Sequence, residues 1–120
     1  MVCAPRVFAW AEFHQPSIST FSIVARDLKT GEIGVAVQSK FVAVGSVVPY
    51  AKAGIGAVAS QAWGNPRYGP IGLELLAHGK SADEGVGLIT ASDPNPEYRQ
   101  LAIIGNDGNA SMFTGREWMK

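Results

Sequence analysis

The sequence has a single cysteine and no surplus of either charge. Cys3 has no second cysteine to pair with, so an internal disulfide is excluded. The chain carries ten Lys and Arg residues against ten Asp and Glu residues, which gives a formal net charge of zero. Because nucleic-acid-binding proteins normally carry a basic surplus, this balance argues against nucleic acid as a partner.

Long apolar runs and clusters of metal ligands are also missing. No stretch approaches the roughly 20 apolar residues of a membrane-spanning helix, and Arg6 and Glu12 interrupt the apolar start of the chain. We therefore expect no membrane association, no signal peptide and a cytoplasmic location. His14 and His78 are isolated, without further ligands at metal-binding spacing. The sequence predicts no metal and no other cofactor.

The chain is instead rich in small apolar residues. Charged residues make up only 17% of it, less than the usual quarter, which favours a buried sheet in a single domain. This composition also predicts that apolar surface stays exposed, as expected when partner strands are missing or when the chain forms a homo-oligomer.

The predicted element order is β-β-β-β-α-α-β-β, an α+β layout. Thr20–Asp27 and Ile33–Lys40 alternate in polarity and form a predicted hairpin. Ser81 and Glu84 have the spacing of a capping box, which starts the second helix. Asn106–Asn109 is typical of the turn between the last two strands. The other predicted elements are strands near Pro49 and over 54–60, and a helix over 68–78.

Thr20 stands at the leading edge of the first predicted strand. If the chain began there, one residue would carry both a hydroxyl nucleophile and a free α-amine. An α-amine has a pKa of roughly 7.7–8, so it can act as a base near neutral pH. In this sequence Ser19 acylates the Thr20 nitrogen. Because threonine is also a common strand residue, an ordinary structural role for Thr20 stays open.

Nine segments carry a resemblance to a known family. They are Thr20–Asp27, Gly34–Lys40, Ala43–Pro49, Ala57–Ala62, Asn65–Pro66, Tyr68–Pro70, Gly72–Leu76, Tyr98–Gln100 and Phe113–Gly115. Together they resemble the family called domain of unknown function 1028, which is grouped with the N-terminal-nucleophile (Ntn) hydrolases. The resemblance implies an αββα sandwich, and hydrolysis of an amide or peptide-like bond in a small-molecule or peptide-like substrate with Thr20 as nucleophile.

The chain departs from the family pattern at both ends. Typical members begin Met-Thr-Phe-Ser, whereas residues 1–19 precede the threonine here and are interpreted as an N-terminal extension. Typical members are also considerably longer, so residues 20–115 correspond to the N-terminal part of such a domain and residues 116–120 to a divergent tail. We therefore expect an incomplete sandwich. The alternative function is a truncated, non-catalytic copy that acts as a binding or assembly module.

Three residues are predicted to join Thr20 in a catalytic site. Ser39 and Lys40 end the second strand, and an antiparallel return places that end beside Thr20. Lys52 ends a neighbouring strand, where its charge would lower the pKa of the nucleophile. By the resemblance, this position is similar to that of the lysine in proteasome-like Ntn enzymes. The alternative for Lys52 is a solvated loop lysine.

Four residues are predicted to bind substrate or to stabilise an oxyanion. Ser60, Gln61 and Asn65 follow the fourth strand, where amide side chains and backbone N–H groups would form an oxyanion hole. Arg99 would bind a carboxylate. The alternatives are stabilisation of a turn by Asn65 before Pro66 and, for Arg99, a surface position in a linker.

Overall fold

The computed structural model describes residues 19–118, and these residues form an α+β fold with the predicted order of elements. The predicted extension, up to residue 18, and residues 119–120 lie outside the described part. Short 3₁₀ turns occupy Val44–Ser46 and Pro96–Tyr98. The main elements are β1 (Thr20–Arg26), β2 (Ile33–Ser39), β3 (Pro49–Lys52), β4 (Gly56–Ala62), α1 (Tyr68–Ala77), α2 (Ala82–Ser92), β5 (Arg99–Gly105) and β6 (Ala110–Thr114).

The strands form two antiparallel sheets. Sheet 1 contains β1 and β2, and sheet 2 has the strand order β3-β4-β5-β6. The register of sheet 1 pairs Thr20 with Ser39 and Arg26 with Ile33. The turn between β1 and β2 closes at Gly31, whose φ of 76° lies in the left-handed region that glycine tolerates best. The first residue of β1 therefore lies beside the last residue of β2, as the sequence predicts.

The centre of sheet 2 is covered on both faces. Val58 of β4 lies opposite Ile103 of β5 on the face that packs against the helices. Ala57 and Ala59 point to the other face, because successive side chains of a strand alternate, and this face packs against sheet 1. The molecule therefore has three layers: the helices, sheet 2 and sheet 1. The helix-side core comprises Val58, Tyr68, Ala82, Val86, Ile89, Leu101 and Ile103.

Helix α1 approaches sheet 2 closely at a glycine. A Cβ atom at Gly69 would lie 2.1 Å from Cδ2 of Tyr50, far inside van der Waals contact. The Tyr50 ring therefore packs directly on the backbone of α1, and only glycine fits at this position.

Helix α2 begins with the predicted capping box. Ser81 Oγ accepts a hydrogen bond from the Glu84 N–H at 3.1 Å, and the Glu84 carboxylate accepts one from the Ser81 N–H at 2.9 Å. Two N–H groups that the helix itself cannot satisfy are thereby paired.

Both helices, of 10 and 11 residues, fall short of the length and apolarity that would let a helix of residues 19–118 cross a bilayer.

Strand β1 turns its largest apolar side chains outward. Phe21 and Ile23 are 69% and 51% exposed, whereas Ser22 and Val24 are partly buried. Ser22 shares the inner face with the partly buried Val35 and Val37 of β2, and its hydroxyl donates to Gln61 of sheet 2. Within residues 19–118, helices cover sheet 2 but not the outer face of sheet 1.

Candidate functional site

A network of hydrogen bonds joins the start of β1 to the ends of β2 and β4 and the start of β5. Thr20 Oγ1 lies 2.9 Å from Ser39 Oγ. Gln61 Nε2 donates to the Thr20 carbonyl oxygen at 3.1 Å and to Gln100 Oε1 at 2.8 Å. Ser22 Oγ donates to Gln61 Oε1 at 2.7 Å. These five residues are called the Thr20 cluster below.

Strand register explains why these polar groups meet. Thr20 lies opposite Ser39 within sheet 1, and Gln61 lies opposite Gln100 within sheet 2. Thr20 and Ser22 share one face of β1, because they are two residues apart. Since β1 packs across β4 and β5, that face meets the glutamines. All five residues are partly buried, so the protein rather than solvent orients their side chains.

Ser39 and Lys40 are at the Thr20 end of the molecule, as the antiparallel return predicts. Ser39 Oγ also accepts a hydrogen bond from the Phe41 N–H at 3.0 Å. That bond occupies one lone pair, which leaves the Ser39 proton and its other lone pair for Thr20. Lys40 follows Ser39 directly and is exposed.

Lys52 lies at the opposite end of the sheets. It pairs with Gly56, the first residue of β4, whereas Gln61 near the other end of β4 contacts Thr20. Lys52 also lines a cleft with residues 30–33 at the turn of sheet 1. The seven residues of β1 span about 20 Å. The structure therefore corrects the predicted position of Lys52: β3 runs away from Thr20, and the lysine charge is too distant to tune it.

Ser60 faces the helices and not Thr20. It is fully buried and lies opposite Leu101 of the core. Its hydroxyl has no hydrogen-bond partner among residues 19–118. Consecutive side chains of a strand point to opposite faces, so Ser60 and Gln61 cannot both reach the Thr20 cluster. The Ser60 side chain therefore points away from Thr20, and the Ser60 N–H, the kind of group predicted to serve an oxyanion, donates to the Val48 carbonyl oxygen at 3.2 Å.

Gln61 is in the site, but its donor hydrogens are already used. An amide nitrogen carries two hydrogens, and Gln61 donates both, to Thr20 and to Gln100. Gln61 therefore positions Thr20 instead of donating to an oxyanion. Asn65 takes the alternative role of turn stabilisation: its Oδ1 accepts a hydrogen bond from the Arg67 N–H at 3.1 Å.

Arg99 is bonded within the protein. Its Nε donates to Asp93 at 3.1 Å, and Tyr68 OH donates to the same carboxylate at 2.5 Å. Burial opposes the charge of Asp93, but hydrogen bonds from Tyr68, the Asn95 N–H and Arg99 outweigh it and lower its pKa from 3.8 to about 2. Burial and the bond to Asp93 raise the pKa of Tyr68. Because Arg99 also donates to the Trp63 carbonyl oxygen, it anchors a loop here and does not present a free carboxylate-binding group.

Sequence reasoning missed two members of the Thr20 cluster. Ser22 shares a strand face with Thr20, so the period-two alternation was a usable signal. Gln100 comes close to Thr20 only through its pairing with Gln61, and a single sequence does not reveal the register between β4 and β5.

Strained backbone adjoins the cluster. Ala43 and Ala62 have φ values of 61° and 69°, and they are the non-glycine residues with positive φ in the described range 19–118. Ala62 directly follows Gln61, and Ala43 lies in the loop after Ser39. Residues with a Cβ seldom adopt this conformation, and such strain gathers at functional sites.

The described residues 19–118 contain no group of three or more His, Cys, Asp or Glu residues that could hold a metal ion.

Comparison with known families matches residues 20–120 to the family of unknown function DUF1028. The chain belongs to DUF1028. The crystal structure of protein SPO2555 from Silicibacter pomeroyi, assigned to DUF1028, is similar: the sequences are 38% identical and the TM-score is 0.79. The alignment covers 84% of this chain and 45% of that chain. A comparison with curated proteins finds no match.

The DUF1028 match begins at Thr20 and continues through residue 120. It therefore includes residues 116–120, which the sequence predicts to depart from the family. Part of this segment is attached to the fold, because the Arg116 N–H donates to the Glu97 carboxylate at 2.8 Å. The chain spans less than half the length of SPO2555.

Proposed function

We propose that this DUF1028 chain carries an Ntn-type hydrolase site that cleaves an amide or peptide-like bond, with Thr20 as the nucleophile. The observation that carries the proposal is the 2.9 Å contact between Thr20 Oγ1 and Ser39 Oγ at the leading edge of β1. Gln61 holds the Thr20 carbonyl oxygen from the other side. The three-layer arrangement, and a family match that begins at Thr20, support the same assignment.

The reaction needs both polar groups of Thr20. Its Oγ1 attacks the substrate carbonyl carbon while the free α-amine accepts the hydroxyl proton. The C–N bond then breaks, the leaving amine takes that proton, and the acyl group remains as an ester on Oγ1. Water hydrolyses the ester and restores Thr20. Ser39 positions Oγ1 for attack, and Gln61 holds the backbone from which both reacting groups project.

This scheme requires cleavage of the Ser19–Thr20 peptide bond. The bond blocks the amine in the chain as it stands. Ser19 is exposed, so this position is open to solvent. The blocked amine is also the observation that favours the second candidate, a non-catalytic binding or assembly module. The intact mass of the purified protein separates the two: a species that begins at Thr20 supports the enzyme, and one that retains residues 1–19 supports the module.

The direct test is labelling of a protein that begins at Thr20 with an epoxyketone, an electrophile that reacts with a hydroxyl and an amine on one residue. We expect Thr20→Ala to abolish labelling and Thr20→Ser to retain part of it. Ser39→Ala should slow labelling by about twofold to tenfold, the worth of one hydrogen bond. Lys52→Ala is the matched control and should have no effect, because Lys52 lies at the far end of the sheets. Absence of labelling in the trimmed protein would favour the module.

A further inference from the structure

An exposed aromatic pair lies beside the Thr20 cluster. Trp63 and Tyr98 are 65% and 37% exposed, and their ring centroids are 5.8 Å apart with a 49° angle between the ring planes. The Trp63 N–H donates to the Tyr98 carbonyl oxygen at 3.2 Å, which extends the β4–β5 ladder past the Gln61–Gln100 pair. Trp63 follows Gln61 by two residues, which puts their Cα atoms at most about 7 Å apart, and Gln61 is bonded to Thr20.

The backbone beneath this pair is fixed. Ala62, directly before Trp63, has the strained φ of 69°, and the Gly64 N–H closes a turn on the Ala62 carbonyl oxygen at 2.8 Å. Arg99 bonds to the Trp63 carbonyl oxygen and is itself held by the buried Asp93. Trp63 therefore exposes a large indole to solvent on a backbone that neighbouring groups hold in a strained conformation. Strained backbone and exposed apolar surface are both typical of binding sites.

We propose that Trp63 and Tyr98 form a subsite for an aromatic ring that the substrate carries next to its scissile carbonyl. This inference rests on the proposed function and names the substrate class. Aromatic rings prefer offset-stacked or edge-to-face contacts at centroid separations of 4.5–7 Å. Because both rings are partly exposed to solvent, a third ring can reach them to make such contacts. Because Gln61, two residues before Trp63, is bonded to Thr20, a ring bound at this pair would belong to the part of the substrate nearest the scissile carbonyl.

Three epoxyketones test the subsite in the protein that begins at Thr20. They differ only in the side chain next to the ketone, which is that of phenylalanine, cyclohexylalanine or alanine. We expect the phenylalanine compound to label about tenfold faster than the alanine compound, as stacking on a desolvated ring provides. Trp63→Ala should remove most of this preference while the alanine compound keeps its rate within about twofold. Tyr98→Phe, which keeps the ring, should retain the preference, and Leu88→Ala on the exposed side of α2 is the control.

Binding measured without chemistry separates this inference from the proposed function. A Trp118→Phe variant that begins at Thr20 retains Trp63 as its single tryptophan, so its fluorescence reports the subsite. We expect N-acetyl-phenylalanine amide to change that fluorescence saturably, and N-acetyl-alanine amide to leave it unchanged. Saturable binding without epoxyketone labelling would overturn the proposed function and keep the subsite. Labelling with equal rates for the phenylalanine and alanine compounds, or a faster rate for cyclohexylalanine, would overturn the aromatic subsite.

Discussion

Asp93 connects the stability of the fold to the aromatic pair, because its carboxylate holds Arg99 and Arg99 holds the Trp63 carbonyl oxygen. Its pKa is lower in the folded protein than in the unfolded chain, so its stabilising effect is present above about pH 4 and is lost as the pH falls toward 2. A pKa lowered from 3.8 to about 2 corresponds to about 2 kcal/mol.

We expect Asp93→Asn to lower the free energy of unfolding by about 2 kcal/mol at pH 7. The difference from the unmodified protein should shrink between about pH 4 and pH 2, as Asp93 becomes neutral first in the unfolded chain and then in the folded protein. Urea unfolding across pH 7 to 2 measures both quantities, and Glu74→Gln on the exposed side of α1 is the control. A difference that stays constant across this range would contradict the proposed role of the Asp93 charge.

Gly69 offers a second prediction at the residue scale. An alanine there would place its Cβ 2.1 Å from the Tyr50 ring, so the half-buried ring has to move, at a cost of about 1–3 kcal/mol. Gly87→Ala is the matched control, because nothing lies within 4 Å of its Cβ position and alanine favours a helix by up to about 1 kcal/mol. Equal effects of the two substitutions in denaturant unfolding would show that the close approach is not limiting.

Among the elements, α2 depends on its cap. Ser81→Ala removes the acceptor for the Glu84 N–H and should destabilise the protein by about 1 kcal/mol, whereas Ser81→Asn should retain most of the stability. Chemical denaturation of the two variants measures the difference. A neutral result for Ser81→Ala would refute the cap.

The order of the elements could be predicted from the sequence because each signal is local. The capping box at Ser81, the turn at Asn106–Asn109 and the alternation in Thr20–Asp27 all depend on neighbouring residues. The pairing of Thr20 with Ser39 was also predictable, since a short turn fixes the register of a hairpin.

The rest of the site depends on contacts between distant segments. Alternation separates two faces of β1 but does not say which face is buried. Ser22 rather than Phe21 faces inward, on the side where its hydroxyl donates to Gln61. Lys52 was predicted to lie close to Thr20, but the direction of β3 relative to β1 is set by the pairing of β3 with β4. A single sequence does not reveal that pairing. Arg99 was predicted to bind a substrate carboxylate because a single sequence does not reveal that Asp93 pairs with it.

At the scale of the whole molecule, the uncovered outer face of sheet 1 favours self-association of the protein. Phe21 and Ile23 are large, apolar and mainly exposed, so we expect the protein to self-associate or to bind a hydrophobic dye. Replacing both with threonine should reduce this behaviour with little change in unfolding free energy, while Leu88→Thr on α2 should not. A compact monomer in sedimentation that binds no dye would refute the prediction.

The Thr20 cluster also belongs to the whole molecule, because its members come from both sheets and meet only when the layers pack. We propose that Thr20 reacts through its own hydroxyl and amine. The most direct measurement is peptide mapping by mass spectrometry of the epoxyketone adduct on the protein that begins at Thr20. We expect one adduct, on Thr20, that disappears when the α-amine is acetylated beforehand. An adduct on Ser39 or Ser60, or one that survives acetylation, would contradict it.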